Sequence, residues 1–160
     1  MSDGNEFYED DFEESEEDTR IIRIDPKLDS AGWVDSEKTW MIRREKWLTD
    51  GRVIPDGKSG KRLKRKRADY VLYYGRDYPI AIVEAKQRFK NSMEGMDQAI
   101  NYAEMIGVKF AYSTNGEIIE EWDLVAQKQT TVSKFPTPQE LWDRLHSEQK
   151  VPEEKKELIL

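Results

Sequence analysis

The stretch ADYVLYYGRDYPIAIVEAK, residues 68–86, decides the fold of this 160-residue chain. It contains two runs rich in strand-forming residues, separated by the turn-like tripeptide Gly75-Arg76-Asp77. This pattern predicts a β-hairpin whose two strands run antiparallel. With Arg76-Asp77 as the two-residue loop, the predicted register makes two pairs near the turn: Gly75 with Tyr78, and Tyr74 with Pro79.

The same register sets Asp69 directly opposite Glu84, and Lys86 shares a strand face with Glu84 because the two are two residues apart. Directly opposed side chains have Cβ atoms about 5 Å apart, so two carboxylates and an ammonium group converge. Mg²⁺ relieves the repulsion of such a pair and uses one or two carboxylates together with waters and phosphate oxygens. The pattern therefore predicts a site for metal-assisted phosphodiester hydrolysis.

The Glu-x-Lys spacing is weak by itself, because it recurs in the C-terminal tail at Glu148/Lys150, Glu153/Lys155 and Glu154/Lys156. Of these pairs, only Glu84 and Lys86 stand at the end of an apolar strand. An acid, Asp69, also stands at the start of the neighbouring strand. The alternative interpretation of these residues is a cross-strand ion pair at the edge of a sheet.

Helical patterns lie on both sides of the hairpin. From Glu16 to Gly32, apolar residues recur at helical spacing, and Pro26 is expected to kink or divide this helix; the positions are Ile21, Ile24, Leu28 and Ala31. A second helix is predicted over residues 91–106, ended by Gly107, with an apolar stripe formed by Met93, Met96, Ala99, Ile100 and Ala103.

The remaining patterns complete a mixed α/β domain. Residues 33–48 suggest one or two strands, and residues 49–60 suggest a loop rich in glycine. Two further strands are predicted over residues 108–113 and 117–122, and a short helix over residues 136–145. We divide the chain into an acidic, disordered leader at 1–15, a globular domain at 16–132, and a C-terminal helix and linker at 133–160.

The charge of the chain is unevenly distributed. Residues 1–18 contain ten acids and no base, so the rest of the chain has 26 bases against 23 acids and is mildly basic. There is no cysteine, which excludes disulfides, thiolate zinc sites and cysteine nucleophiles. We find neither a signal-like segment nor an apolar run long enough to span a membrane, and we expect a cytoplasmic protein.

Six bases in seven residues precede the hairpin: Lys61, Arg62, Lys64, Arg65, Lys66 and Arg67. Bases next to a metal site attract nucleic acid, so this run is a candidate for phosphate contacts, with a solvated loop as the alternative. The segment Gly51–Ser59 is similar to a phosphate-binding P-loop, but five residues instead of four separate its glycines. We therefore expect no ATP binding by this chain.

Several segments resemble, in order, the N-terminal nuclease domain of the R subunit (the restriction and motor subunit) of type I restriction enzymes, a nuclease of the PD-(D/E)XK kind. They are SEEDTR, IDPKLDSAGW, RADYVLYY, YPIAIVEAK, QAINYA, STNG and FPTPQELW, and they extend over residues 15 to 145. The resemblance implies a restriction-endonuclease-like α/β core, with a mixed central sheet flanked by helices. It departs from the broader superfamily at Ala68, where a proline is common.

The resemblance also implies roles for individual residues. Asp69, Glu84 and Lys86 match the catalytic motif, and Gln98 with Tyr102 matches a Gln-x-x-x-Tyr motif. Four residues apart, Gln98 and Tyr102 are neighbours on the predicted helix and lie off its apolar stripe, hence off the core face. They are expected to clamp the DNA backbone or Lys86, with a hydrogen-bonded pair on the helix surface as the alternative. The implied metal ligands are Asp69, Glu84, the backbone carbonyl of Ala85 and an acid of the first helix, for which Glu16 fits and Glu17 stays open.

The expected function is Mg²⁺-dependent cleavage of double-stranded DNA, with Mn²⁺ as a substitute metal and with methyltransferase and specificity subunits as partners. ATP is expected to act only through a motor domain that this chain lacks. Two alternatives stay open: a stand-alone nuclease of the resolvase or repair type, and a catalytically idle domain that docks DNA or subunits.

Overall fold

The computed structural model describes residues 14–48 and 66–147, with only the backbone described at Lys66. Its first helical segment has three consecutive parts: helix α1 (Glu16–Thr19), a π-helical turn (Arg20–Ile24) and helix α2 (Asp25–Ser30). Pro26 lies in the first turn of α2, directly after the π turn. The helical backbone runs without a break through Asp25 and Pro26, so Pro26 does not divide the helix. The irregularity before it is the π turn, as expected where a proline ring disrupts the preceding backbone ladder.

A six-stranded sheet forms the centre of the domain, with its strands side by side in chain order. Only β3 and β4 are parallel, and a helix crosses over between them. Residues 33–48 contribute one strand, which resolves the alternative left open by the sequence, while the last strand was not predicted. The strands are β1 (Ile42–Leu48), β2 (Lys66–Gly75), β3 (Tyr78–Ala85), β4 (Phe110–Thr114), β5 (Ile119–Asp123) and β6 (Lys128–Val132).

The β2–β3 hairpin has the predicted register at both of its ends. Gly75 pairs with Tyr78 next to the turn, and Tyr70 pairs with Val83 farther along the strands. Between these pairs the prediction is wrong, because Tyr73 and not Tyr74 pairs with Pro79. Two irregularities, one on each strand, cancel each other, and the register therefore returns to its original value before Asp69 and Glu84 are reached.

Helices cover the sheet on both faces, as the α/β expectation requires. Helix α3 (Met96–Ile106) packs on one face, and α1, α2 and helix α4 (residues 138–147) belong to the core on the other face. Helix α3 begins at Met96, so the predicted start near Asn91 is wrong. Met93 is correspondingly exposed, whereas Met96, Ala99 and Ala103 are buried as expected.

The two boundaries predicted for the domain both move outward. Glu14, assigned to the acidic leader, is buried and accepts hydrogen bonds from Thr19 Oγ1 at 2.7 Å and from Arg23 Nε at 3.0 Å. At the other end, α4 is part of the core and not only a linker. Leu141 is fully buried, and Arg144 makes two hydrogen bonds to the buried carboxylate of Glu121. Residues 1–13 and 148–160 of the two predicted end segments lie outside the described residues.

Truncating Leu141 should show that α4 is part of the domain. Leu141→Ala should lower the free energy of unfolding by about 2–5 kcal/mol, because it removes a fully buried side chain and leaves a cavity. The matched control is Val125→Ala, which shortens an aliphatic side chain that is 42% exposed and should change stability by less than about 0.5 kcal/mol. Equal, small effects of both changes in urea denaturation would contradict the assignment of α4 to the core.

Candidate active site

Asp69 and Glu84 hold each other in place at the open end of the β2–β3 hairpin. The backbone N–H of Asp69 donates to Oε2 of Glu84 at 2.9 Å, and the backbone N–H of Ala85 donates to Oδ2 of Asp69 at 2.7 Å. Continuing the register by one residue from the Tyr70–Val83 pair sets the two acids opposite each other. The structure therefore brings the carboxylates of Asp69 and Glu84 together, as the predicted hairpin register requires.

Burial makes this pair electrostatically unfavourable. Glu84 is only 3% exposed, and burial raises its pKa to about 8, with a further increase caused by the negative charge of Asp69. Burial also raises the pKa of Asp69, although the Ala85 amide and the charges of Arg20 and Lys86 act in the opposite direction. Without a metal, burial and mutual repulsion therefore favour a protonated form of the pair.

Lys86 follows β3 directly, and its backbone N–H donates to the carbonyl of Thr114 at 2.8 Å, next to the end of β4. Its side chain packs against the backbone of Gly95, which sequence reasoning did not single out. A Cβ atom at Gly95 would lie 3.2 Å from Cε of Lys86, 3.2 Å from Cβ of Glu84 and 3.0 Å from Oγ of Ser113. Glycine at this position therefore allows the backbone before α3 to approach the site closely.

The first helical segment brings further charges to the pair. Partial burial raises the pKa of Glu16, and the negative charge of Asp69 raises it further, so Glu16 lies within the electrostatic field of the site. Glu17 instead lines a neighbouring cavity. Arg20, which the sequence did not indicate, places Nη1 at 3.5 Å from Oδ1 of Asp69.

Gln98 and Tyr102 form the predicted contact one helical turn apart, since Nε2 of Gln98 donates to the hydroxyl of Tyr102. The expectation that both lie off the core face is wrong for Tyr102, which is 2% exposed and packs between α3 and the sheet. Burial raises the pKa of Tyr102, and the charges of Glu84 and Asp69 add to this effect. Tyr102 thus lies within the electrostatic field of the carboxylate pair, while Gln98 is exposed.

The predicted basic run leads directly into β2, and its residues Lys61, Arg62, Lys64 and Arg65 lie outside the described residues. Only the backbone of Lys66 is described, at the start of the strand. Arg67 is exposed, lies over the ring of Trp47 at 5.8 Å and places Nη2 at 3.8 Å from Glu45. The end of the run is therefore two residues from Asp69.

Comparison with known proteins identifies the family. A family model described as the second domain of the type I restriction enzyme EcoKI endonuclease subunit matches residues 57–138, which is half of the chain. The chain belongs to the family of type I restriction enzyme endonuclease subunits. The matched range contains Asp69, Glu84, Lys86 and Tyr102, whereas Glu16 and Arg20 precede it.

Two type I restriction proteins are similar to this chain. The type I restriction enzyme EcoAI endonuclease subunit of Escherichia coli is 39% identical over 125 residues, which cover 74% of this chain and 15% of that protein. A solved fragment of a type I HsdR subunit from Vibrio vulnificus YJ016 is 43% identical, with a TM-score of 0.70, and the match covers 84% of this chain and 26% of that one. This chain therefore spans a minor part of the length of its relatives.

The donor atoms of this type I subunit domain fit a small, hard cation. Asp69 and Glu84 offer carboxylate oxygens, and the peptide of Ala85 lies next to them, which suits Mg²⁺ because it needs only one or two carboxylates. Within residues 14–48 and 66–147, no group of three or more His, Cys, Asp or Glu side chains is arranged to hold a metal ion. Glu16 thus lies near the pair without completing a three-acid cluster.

None of the helices in these ranges is long and apolar enough to cross a membrane.

The stability of the metal-free domain should fall as the pH rises from about 4.5 to about 8. Within this window the unfolded Glu84 side chain is ionised, whereas the folded one keeps its proton because its pKa is raised to about 8. The stabilising contribution of the proton is complete below the window and is lost as the pH passes the folded pKa. One proton gives a slope of at most about 1.4 kcal/mol per pH unit, measured by urea denaturation in a chelator.

The variant Glu84→Gln should flatten this slope, since it removes the group that titrates. The control Glu104→Gln changes an exposed acid on α3 and should keep the wild-type slope. Identical pH profiles for the wild type and Glu84→Gln would show that the raised pKa of Glu84 is wrong.

Proposed function

We propose that this domain is the Mg²⁺-dependent endonuclease module of a type I restriction enzyme and hydrolyses phosphodiester bonds of double-stranded DNA. The observation that carries the proposal is the interlocked pair of Asp69 and Glu84 with Lys86 beside it. A buried like-charge pair costs stability, and such arrangements occur mainly at functional sites. The membership in the family of endonuclease subunits supports the same activity.

Asp69, Glu84 and the carbonyl of Ala85 would hold the metal. When bound, Mg²⁺ supplies Lewis acidity toward a phosphate oxygen and lowers the pKa of a water molecule. Mn²⁺, which accepts the same oxygen ligands, is proposed as a substitute. Glu16 is a candidate for a water-mediated contact, since the charge of Asp69 raises its pKa and its own charge raises that of Glu84.

Side chains of the domain would orient the reacting groups. Lys86 presents a positive charge next to the carboxylates, where it would orient the attacking water and stabilise the charge that develops on the phosphate. Attack by the water oxygen breaks the bond between phosphorus and the 3′ oxygen, which leaves a 5′-phosphate and a 3′-hydroxyl. The Gln98–Tyr102 pair would support Lys86 and the DNA backbone from α3.

The proposed partners follow from the family. In a complete enzyme, methyltransferase and specificity subunits would select the DNA, and ATP would be used by a motor domain outside this chain. The alternative of a stand-alone resolvase or repair nuclease has no support in the comparisons, which match restriction subunits. A catalytically idle docking domain would explain the fold, but it gives no reason for two buried acids beside a lysine.

Replacing Lys86 tests the catalytic proposal. Lys86→Ala should reduce Mg²⁺-dependent nicking of plasmid DNA by about 10²-fold or more, because it removes a charge that acts on the transition state. Its melting temperature should stay close to that of the wild type. Lys109→Ala, an exposed lysine before β4, is the matched control and should cut at the wild-type rate.

The nicking assay is run with this chain and with a complete type I restriction enzyme that carries the domain. Wild-type cleavage by a folded Lys86→Ala protein in both settings would overturn the assignment. Loss of cleavage in both Lys86→Ala and Lys109→Ala would point to general DNA binding instead of catalysis.

Neutralising bases of the run should weaken DNA binding and its dependence on salt. Changing Lys61, Arg62 and Lys64 to Gln should reduce the slope of log K against log salt concentration by roughly 0.9 for each phosphate contact that is lost. The measurement is fluorescence anisotropy with a labelled duplex at several salt concentrations. An unchanged slope would favour the alternative that the run is a solvated loop.

A further inference from the structure

We propose that Arg20 is the counterion of Asp69 in the metal-free domain and shifts to Glu45 when a divalent cation binds, so that the Arg20–Glu45 pair sets the metal affinity of the site. This inference rests on the proposed metal site at Asp69 and Glu84. It concerns a residue to which the sequence motifs assign no role and which precedes the range that the family model matches.

Arg20 is shared between two acids. Its Nη1 atom lies 3.5 Å from Oδ1 of Asp69 and 3.4 Å from Oε1 of Glu45, so one guanidinium group is poised between two acceptors. The side chains of Arg20 and Asp69 are 18% and 17% exposed, which limits screening of this pair by water. The side chain of Glu45 is 47% exposed, and the second acceptor therefore lies on the solvent side.

The backbone of β1 is irregular at Glu45. In the ladder with β2, Arg44 pairs with Tyr70 and Lys46 with Ala68, while Glu45, which would face Asp69, is left out of the pairing. Its φ angle is 54°, in the left-handed region that a glutamate rarely adopts and that strains its backbone. A strained residue directly across from a candidate metal ligand is typical of a site that depends on its side-chain position.

The surroundings leave room for the shift. A cavity of about 210 Å³ adjoins the three charged residues, and it is lined by Glu17, Ile21, Asp25, Arg44 and Tyr70 in addition to them. Arg20 begins the π-helical turn, an irregularity that recurs at functional sites in helices. A small movement of its guanidinium group toward Glu45 would therefore require no repacking of the core.

Electrostatics gives the direction of the coupling. A divalent cation on Asp69 would lie close to the guanidinium group, and these like charges repel strongly at such short range. Glu45 lowers the cost of displacing Arg20, because it already accepts the same nitrogen. Arg67, 3.8 Å from Glu45, competes for that acceptor and connects it to the end of the basic run.

The experiment measures Mg²⁺ binding without DNA, by calorimetry and by the rise of the melting temperature during an Mg²⁺ titration of the full chain. Arg20→Gln should bind Mg²⁺ at about tenfold lower concentration than the wild type, because the competing charge is gone. Glu45→Gln should need a several-fold higher concentration, because Arg20 then has Asp69 as its main partner. The double variant should behave like Arg20→Gln, since Glu45 acts through Arg20.

Arg44→Gln is the matched control, because it removes an arginine that lines the same cavity and pairs with Asp25 instead of Asp69. It should bind Mg²⁺ like the wild type. Weaker or unchanged binding by Arg20→Gln, or additive effects in the double variant, would overturn the inference. Glu45→Gln changes a half-exposed side chain and provides an independent arm if Arg20→Gln does not fold. A wild type that binds no Mg²⁺ would contradict the proposed metal site itself, and with it the role of Arg20.

Discussion

Two hydrogen bonds between β2 and β3, from the backbone N–H of Asp69 to Glu84 and from that of Ala85 to Asp69, are the constraint on which the rest of the structure depends. Each carboxylate accepts a hydrogen bond from a backbone N–H of the opposite strand. At the end of the hairpin, these side-chain hydrogen bonds replace the backbone hydrogen bonds of the β-ladder. This arrangement requires one register, since a shift by one residue would send Asp69 to the other face. The parallel neighbour β4 then fixes Lys86 through the carbonyl of Thr114.

A site of this kind opposes folding, and the fold must compensate for it. Burial raises the pKa values of both acids, which shows that ionising them inside the domain is unfavourable. Two apolar cores, one on each face of the sheet, supply the opposing free energy. Lys86 and Arg20 reduce the local cost without removing it. The proposed divalent cation would offset this cost, because a ligand that binds only the folded form stabilises it.

The sequence predicted the hairpin and its acids because local rules determine them. The turn set the pairing of Gly75 with Tyr78, and the two later irregularities cancelled, which no local rule could have guaranteed. The burial of Tyr102 was missed because helical periodicity alone does not show how wide the buried face is. Arg20 and Glu45 were missed because their contact joins residues 25 positions apart, and the unpaired position of Glu45 in β1 is visible only in the folded sheet.

The distribution of charge gives a physical reason for the proposed metal and for the proposed basic approach to DNA. Asp69, Glu84, Glu16 and Glu45 surround the candidate site, and a phosphate that approached them without a cation would be repelled. Lys86 and Arg20 offer two positive charges, and the second is occupied by the acids that it bridges. Positive charge for the DNA backbone must therefore come from outside this cluster. Arg67, the end of the basic run, lies in β2 two residues before Asp69, so in the proposed function the run would contact DNA next to the metal and leave the carboxylates free.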